Sequence, residues 1–119
     1  MLSKKFRFHS RGGVRYVYQK GKTIRSPKMS LIFVENTRKF TRIAVVVSKK
    51  VLKSAVGRNR IRRRVYEVIR LRLDSIPKGV DYIFVIYDKK IIDIPFGEIG
   101  DMVDKLVDES KICYNKENK

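Results

Sequence analysis

The hydrophobic and polar positions of this chain change period several times, and each change marks an element. Residues 14–20 suit a short helix, closed by Gly21 as a C-terminal cap. Ser26-Pro27 marks a turn or a strand edge. Two apolar runs follow at 29–35 and 40–48, separated by polar residues from Asn36 to Lys39, and read as an antiparallel hairpin. From Ser54 the period becomes helical: Ile61, Val65, Val68 and Ile69 recur at i, i+4, i+7 and i+8 and cover one face. This helix is expected over 54–73, stopped by the segment from Ser75 to Gly79, which contains Pro77.

A β-branched and aromatic run at 80–87 predicts a buried strand, and 89–95 a loop. A last helix is expected over 96–113. Phe96, Ile99, Val103, Leu106 and Val107 lie on one side of it, and Asp101, Asp104, Asp108 and Glu109 on the other. Residues 1–13 read as a basic arm ending in Gly12-Gly13, and 114–119 as a frayed polar tail. The expected architecture is α+β: a single-domain α-β-β-β-α-β-α sandwich over 1–119, with a mixed sheet and the long helix in the crossover.

Charge changes the picture. Of 119 residues, 29 are Lys or Arg and 12 are Asp or Glu, a formal net charge of +17 that opposes compactness unless a polyanion is bound. The excess concentrates on the long helix, where residues 58–64 hold five arginines and Asn59, with Lys49, Lys50 and Lys53 just upstream. Lys53, Asn59, Arg60, Arg63, Arg64 and Arg70 fall opposite the apolar stripe, and Arg58 and Arg62 beside it. Most charged helix faces are merely solvated. Here no carboxylate occurs in the run before Glu67, so the i+3 and i+4 partners that relieve repulsion are missing. Arginine suits bidentate phosphate and base-edge contacts, and the pattern points to nucleic acid.

Catalytic chemistry is not visible. One histidine, His9, and one cysteine, Cys113, assemble neither a triad nor a Cys/His metal site. Asp101, Asp104 and Asp108 share a helical face, which reads as solvated rather than metal-binding. Gly-rich phosphate loops are absent. No apolar run is long enough to cross a bilayer, and the N-terminus lacks an apolar signal-peptide core. A soluble, cytoplasmic protein with no membrane partner and no small-molecule substrate is expected. A duplex-DNA regulator is disfavoured, because strands rather than a partner helix flank the basic helix.

Arg42 followed by Ser48, Lys49 and Lys50, then Lys53, Ala55 and the run Arg58-Asn59-Arg60-Ile61-x-Arg63, resembles the protein subunit of bacterial ribonuclease P. Arg7 and Phe8, followed by Val17, Tyr18 and Gly21, look like that family's N-terminal arm and first helix, and Asp81 opening an apolar strand also matches. The resemblance covers roughly residues 7–110. It implies a left-handed βαβ crossover carrying the basic helix, against the usual right-handed preference. It implies a ribonucleoprotein in which the RNA is the catalyst, with Mg2+ at that RNA and no cofactor bound stably by the protein. The implied partners are the catalytic ribonuclease P RNA and the single-stranded 5′ leader of precursor tRNA.

The resemblance also assigns residues. The RNA-binding set is Lys49, Lys50, Lys53, Arg58, Asn59, Arg60, Arg62, Arg63 and Arg64, with Arg7 and Arg42. The leader-cleft set is Val14, Tyr18, Ile32 and Tyr114. The sequence departs from the family pattern at Gly12-Gly13, which implies a late start of the first helix, at Ala44 in place of a usual glycine, and in the acidity of the last helix. The alternative is a structural, ribosomal-type RNA-binding protein. A concave, partly apolar sheet face beside the helix separates the two readings.

Overall fold

A computed structural model describes residues 11–36 and 41–117, of which 11–13 and 113–117 are described by their backbone alone. The elements are α1 (Arg11–Lys20), β1 (Lys22–Arg25), β2 (Met29–Glu35), β3 (Arg42–Val47), α2 (Ala55–Arg70), β4 (Val80–Ile86) and α3 (Phe96–Glu117). Short 3-10 turns at Leu73–Ser75 and Lys89–Ile92 follow α2 and β4. Their order is the α-β-β-β-α-β-α expected.

The predicted hairpin does not form. The sheet order is β1-β2-β4-β3, so β4 lies between the two runs that were expected to pair. It runs antiparallel to β2 and parallel to β3, and α2 makes the crossover from β3 to β4. The reason is burial: every residue of β4 except Val85 is buried, a pattern that needs neighbours on both sides and both faces.

Helices cover both faces of the sheet. On one, α2 and α3 pack Ile61, Val65, Val68, Ile69, Ile99, Val103 and Leu106 against Leu31, Phe33, Ile43, Val45, Tyr82 and Phe84. On the other, α1 lays Val17 on Ile32, Ala44 and Ile83. The four positions of the predicted stripe on α2 are all buried, and Tyr66 joins them. The Tyr66 hydroxyl accepts from the Val45 amide at 3.1 Å, so α2 also occupies part of the outer edge of β3.

Three boundaries move. The helix expected at 14–20 begins at Arg11, so Gly12 and Gly13 are helical and the arm does not reach 13. First-turn amides have no intrahelical partner in any case, and packing of Val17 on the sheet holds the helix. The basic helix is shorter than 54–73: Ser54 is its N-cap, its hydroxyl accepting from the Gly57 amide at 3.1 Å, and the chain turns into the 3-10 segment beyond Leu71. The last helix continues to Glu117, past the expected start of the tail.

Candidate nucleic-acid interface

The basic helix is oriented by its apolar stripe. With Ile61, Val65, Val68 and Ile69 sunk in the core, Lys53, Asn59, Arg60 and Arg63 are exposed and Arg62 is half-buried. Lys49 and Lys50 stand exposed in the turn that leaves β3. Among the described residues, none of the six cations in this group has an ion-pair partner.

Three other members of the expected set behave differently. Arg58 folds back and donates through Nη1 to the carbonyls of Leu52 and Lys53 at 2.9 and 2.8 Å, holding the loop that carries Lys53. Arg64 donates from Nη1 to the carbonyls of Ile91, at 2.9 Å, and Ile92, and from Nη2 to that of Ile94. Its guanidinium carbon also sits 4.9 Å from the centre of the Phe96 ring. Arg64 is thereby a tie between α2 and the segment before α3. Arg42 alternates with the inward-facing Ile43 and so points to the sheet face that carries α1, where it grips Asp81. It stands apart from the α2 cations. Arg7 lies outside the described residues, as does His9.

The α1 side of the sheet forms a second surface. Strand register sets Thr23, Ile32, Ile83 and Ala44 in one row across it, with Ser30, Val85 and Val46 in the next. Val17 covers Ile32, Ala44 and Ile83, while Val14, Val34, Val46 and Val85 are only partly buried around them. Tyr18 stands exposed on α1, and partial burial raises its phenol above the ordinary tyrosine pKa. The side chain of Tyr114 lies outside the described residues. Ile32 is buried beneath α1, so the accessible sheet floor is instead Val34, Val46 and Val85. Sequence reasoning missed these three because uninterrupted apolar runs conceal which alternate positions share a face. Asp104 of the last helix pairs with Arg72 at 2.7 Å and Asp108 with Lys111 at 3.8 Å.

The Ribonuclease P family model matches residues 2–111. The chain belongs to the ribonuclease P protein family. The ribonuclease P protein component of Chloroflexus aurantiacus is 40% identical over 93 residues, covering 78% of this chain and 68% of that protein. That of a Pseudanabaena strain is 31% identical over 116 residues, covering 96% and 98%. Among solved structures, the RNase P protein of Thermotoga maritima has a TM-score of 0.77 at 24% identity, covering 85% of this chain and 94% of its own. A Staphylococcus aureus RNase P protein mutant with defective mRNA degradation activity has a TM-score of 0.79 at 22% identity, covering 91% and 90%. At these identities the structural likeness establishes the fold.

The chain therefore offers two surfaces of different chemistry on opposite sides of one sheet: a cationic helix with its preceding turn, and a partly apolar floor beside α1. Among the described residues no group of three His, Cys, Asp or Glu side chains is placed to hold a metal ion, and no helix is long and apolar enough to cross a membrane.

Proposed function

We propose that this chain is the protein component of a bacterial-type ribonuclease P, assisting a catalytic RNA in removing the 5′ leader from precursor tRNA in the cytoplasm. The observation that carries this reading is the cationic surface of α2 around Arg60 and Arg63, without ion-pair partners among the described residues and set on the fold and the family motif described above. Lys49, Lys50, Lys53, Asn59, Arg60, Arg62 and Arg63 dock the RNA subunit. Arg58 and Arg64 hold the docking surface in shape.

Docking by guanidinium and ammonium groups displaces counterions from the RNA. Asn59 adds a side chain that donates and accepts at once, which a shaped RNA pocket can use and a bare phosphate clamp does not need. The floor of Val34, Val46 and Val85, with Val14 and Tyr18 from α1, takes the unpaired leader. An apolar surface with a tyrosine at its rim accommodates bases whose faces are not stacked in a duplex. Mg2+ held by the partner RNA supplies the chemistry at the scissile phosphate. The side chains of this chain bind, orient and neutralise, and fixing the leader raises substrate affinity.

The test is cleavage of a precursor tRNA by a bacterial ribonuclease P RNA at low magnesium, with and without this protein. Strong activation by the protein, with neither component active alone, is the expected result. Tight RNA binding without activation of cleavage would instead support a structural RNA-binding role.

A further inference from the structure

The apolar side predicted for α3 begins with Phe96, yet this ring is 51% exposed while Ile99, Val103, Leu106 and Val107 are buried. Across from it, Val56 in the first turn of α2 is 77% exposed. The two flank a groove of about 650 Å³ lined by Val56, Arg60, Arg63, Arg64, Glu67 and Phe96. That volume falls within the range of about 300–1,000 Å³ usual for small-ligand sites. Val56, Arg60, Arg63 and Glu67 follow one another at helical spacings of four, three and four, so they form one stripe along α2.

The groove is asymmetric. Arg64 is held by the carbonyls of Ile91, Ile92 and Ile94 and lies over one face of Phe96, a residue that stays half exposed. Arg60 and Arg63 are exposed. At the opposite end from Val56, Glu67 accepts from Arg70, Nη2 to Oε1 at 2.5 Å, and its carboxylate disfavours a phosphate there. An aromatic surface beside two available guanidiniums matches one nucleotide: the base takes the ring and the phosphate takes the cations. A duplex cannot supply this, because its bases are stacked inside.

We propose that this groove receives a single unpaired nucleotide of the partner RNA, its base stacked on Phe96 and its phosphate between Arg60 and Arg63. The proposal rests on the RNA-docking reading and deepens it. It adds a base-stacking subsite to a surface otherwise read as a charge clamp.

The chain contains no tryptophan, so Phe96→Trp creates a single fluorescent reporter in the groove. This variant is titrated with a bacterial ribonuclease P RNA at fixed salt, beside Ile112→Trp as a control on the exposed C-terminal part of α3. Wild type, Phe96→Tyr and Phe96→Leu are titrated in parallel by filter binding. The expected results are quenching of the tryptophan at 96 but not at 112, affinity retained in Phe96→Tyr, and about tenfold weaker binding by Phe96→Leu. Wild-type binding with no quenching at 96, or with equal quenching at both positions, overturns the stacking subsite and leaves the docking reading intact. Undiminished binding by Phe96→Leu does the same. Absence of RNA binding by the wild-type chain overturns both.

Discussion

Arg42 and Asp81 join the parallel strands β3 and β4 through two hydrogen bonds, Nε to Oδ1 at 2.9 Å and Nη2 to Oδ2 at 2.7 Å. Asp81 is 2% exposed and also accepts from Asn36 Nδ2 at 2.6 Å. One carboxylate thus ties the end of β2 and the start of β3 to β4. Removing a single partner strands a charge, which costs about 3–5 kcal/mol for a fully buried pair. Because Arg42 retains some solvent, Asp81→Ala is expected to cost about 2–4 kcal/mol in urea unfolding. The double variant Arg42→Met, Asp81→Leu is expected to recover most of that loss. If Arg42→Gln lowers RNA affinity while leaving stability unchanged, its assignment to the strand tie is wrong.

Arg64 and Arg60 are four residues apart on α2 and are expected to fail in different assays. Arg64→Gln gives up donors to three loop carbonyls, and a loss of about 1.5–3 kcal/mol in stability is expected. Arg60→Ala, at an exposed position, should change stability by less than about 0.5 kcal/mol. It should weaken RNA binding by about 1.5–3 kcal/mol. Parallel thermal melts and RNA titrations check both, and an unchanged affinity removes Arg60 from the interface.

Salt dependence counts the phosphate contacts. Lys49, Lys50, Lys53, Arg60 and Arg63 are exposed, and five such contacts give a log–log slope of affinity against salt near −4, to order of magnitude. Neutralising any one of them should flatten the slope by about 1. A wild-type slope shallower than about −1 is incompatible with docking by this surface.

Gly21 ends α1 in a space that admits no side chain. A Cβ there would lie 2.4 Å from the Val17 carbonyl oxygen, 2.9 Å from Ile32 and 3.0 Å from the Phe33 carbonyl oxygen, two of the three being backbone. Gly21→Ala is therefore expected to cost about 1–3 kcal/mol, as overpacking does. Since α1 borders the proposed leader surface, cleavage of a precursor with a long leader should suffer more than cleavage of one with a minimal leader. Equal effects on both substrates would separate α1 from the leader.

Hydrogen bonding from Arg70 holds the Glu67 carboxyl well below its ordinary value of 4.5, at about 2. A depressed folded-state value means that this pair supports the fold above the ordinary carboxylate range and that its contribution fades as pH falls through about 2. Carbon-13 NMR of the Glu67 carboxyl is expected to titrate near that value, and to return towards 4.5 in Arg70→Gln. An unshifted Glu67 in the wild type would remove the pair.

The amino-acid sequence by itself determined the things that depend on local period and composition. These are the apolar stripe Ile61, Val65, Val68, Ile69 and hence which side of α2 is charged, the Ser54 start and Gly21 stop, the strand character of β2 to β4, and the family motif from Arg42 to Arg63. Each follows from neighbours within a turn or a strand, so it is readable without a fold. Only the tertiary structure decided which strands pair, because β2, β3 and β4 are all apolar enough to sit centrally and the burial of β4 on both faces breaks the tie. It also divided the arginines. Arg62, Arg63 and Arg64 are adjacent and alike in sequence, yet among the described residues Arg64 alone of the three meets backbone carbonyls 27 to 30 residues away. The exposure of Phe96 has the same origin: helical period put it with Ile99 and Val103, but it lies at the start of α3, over α2's charged side rather than its apolar one. Contacts between residues far apart in the chain leave no local signature, and here they separate the cations that hold the fold from those that have no ion-pair partner among the described residues.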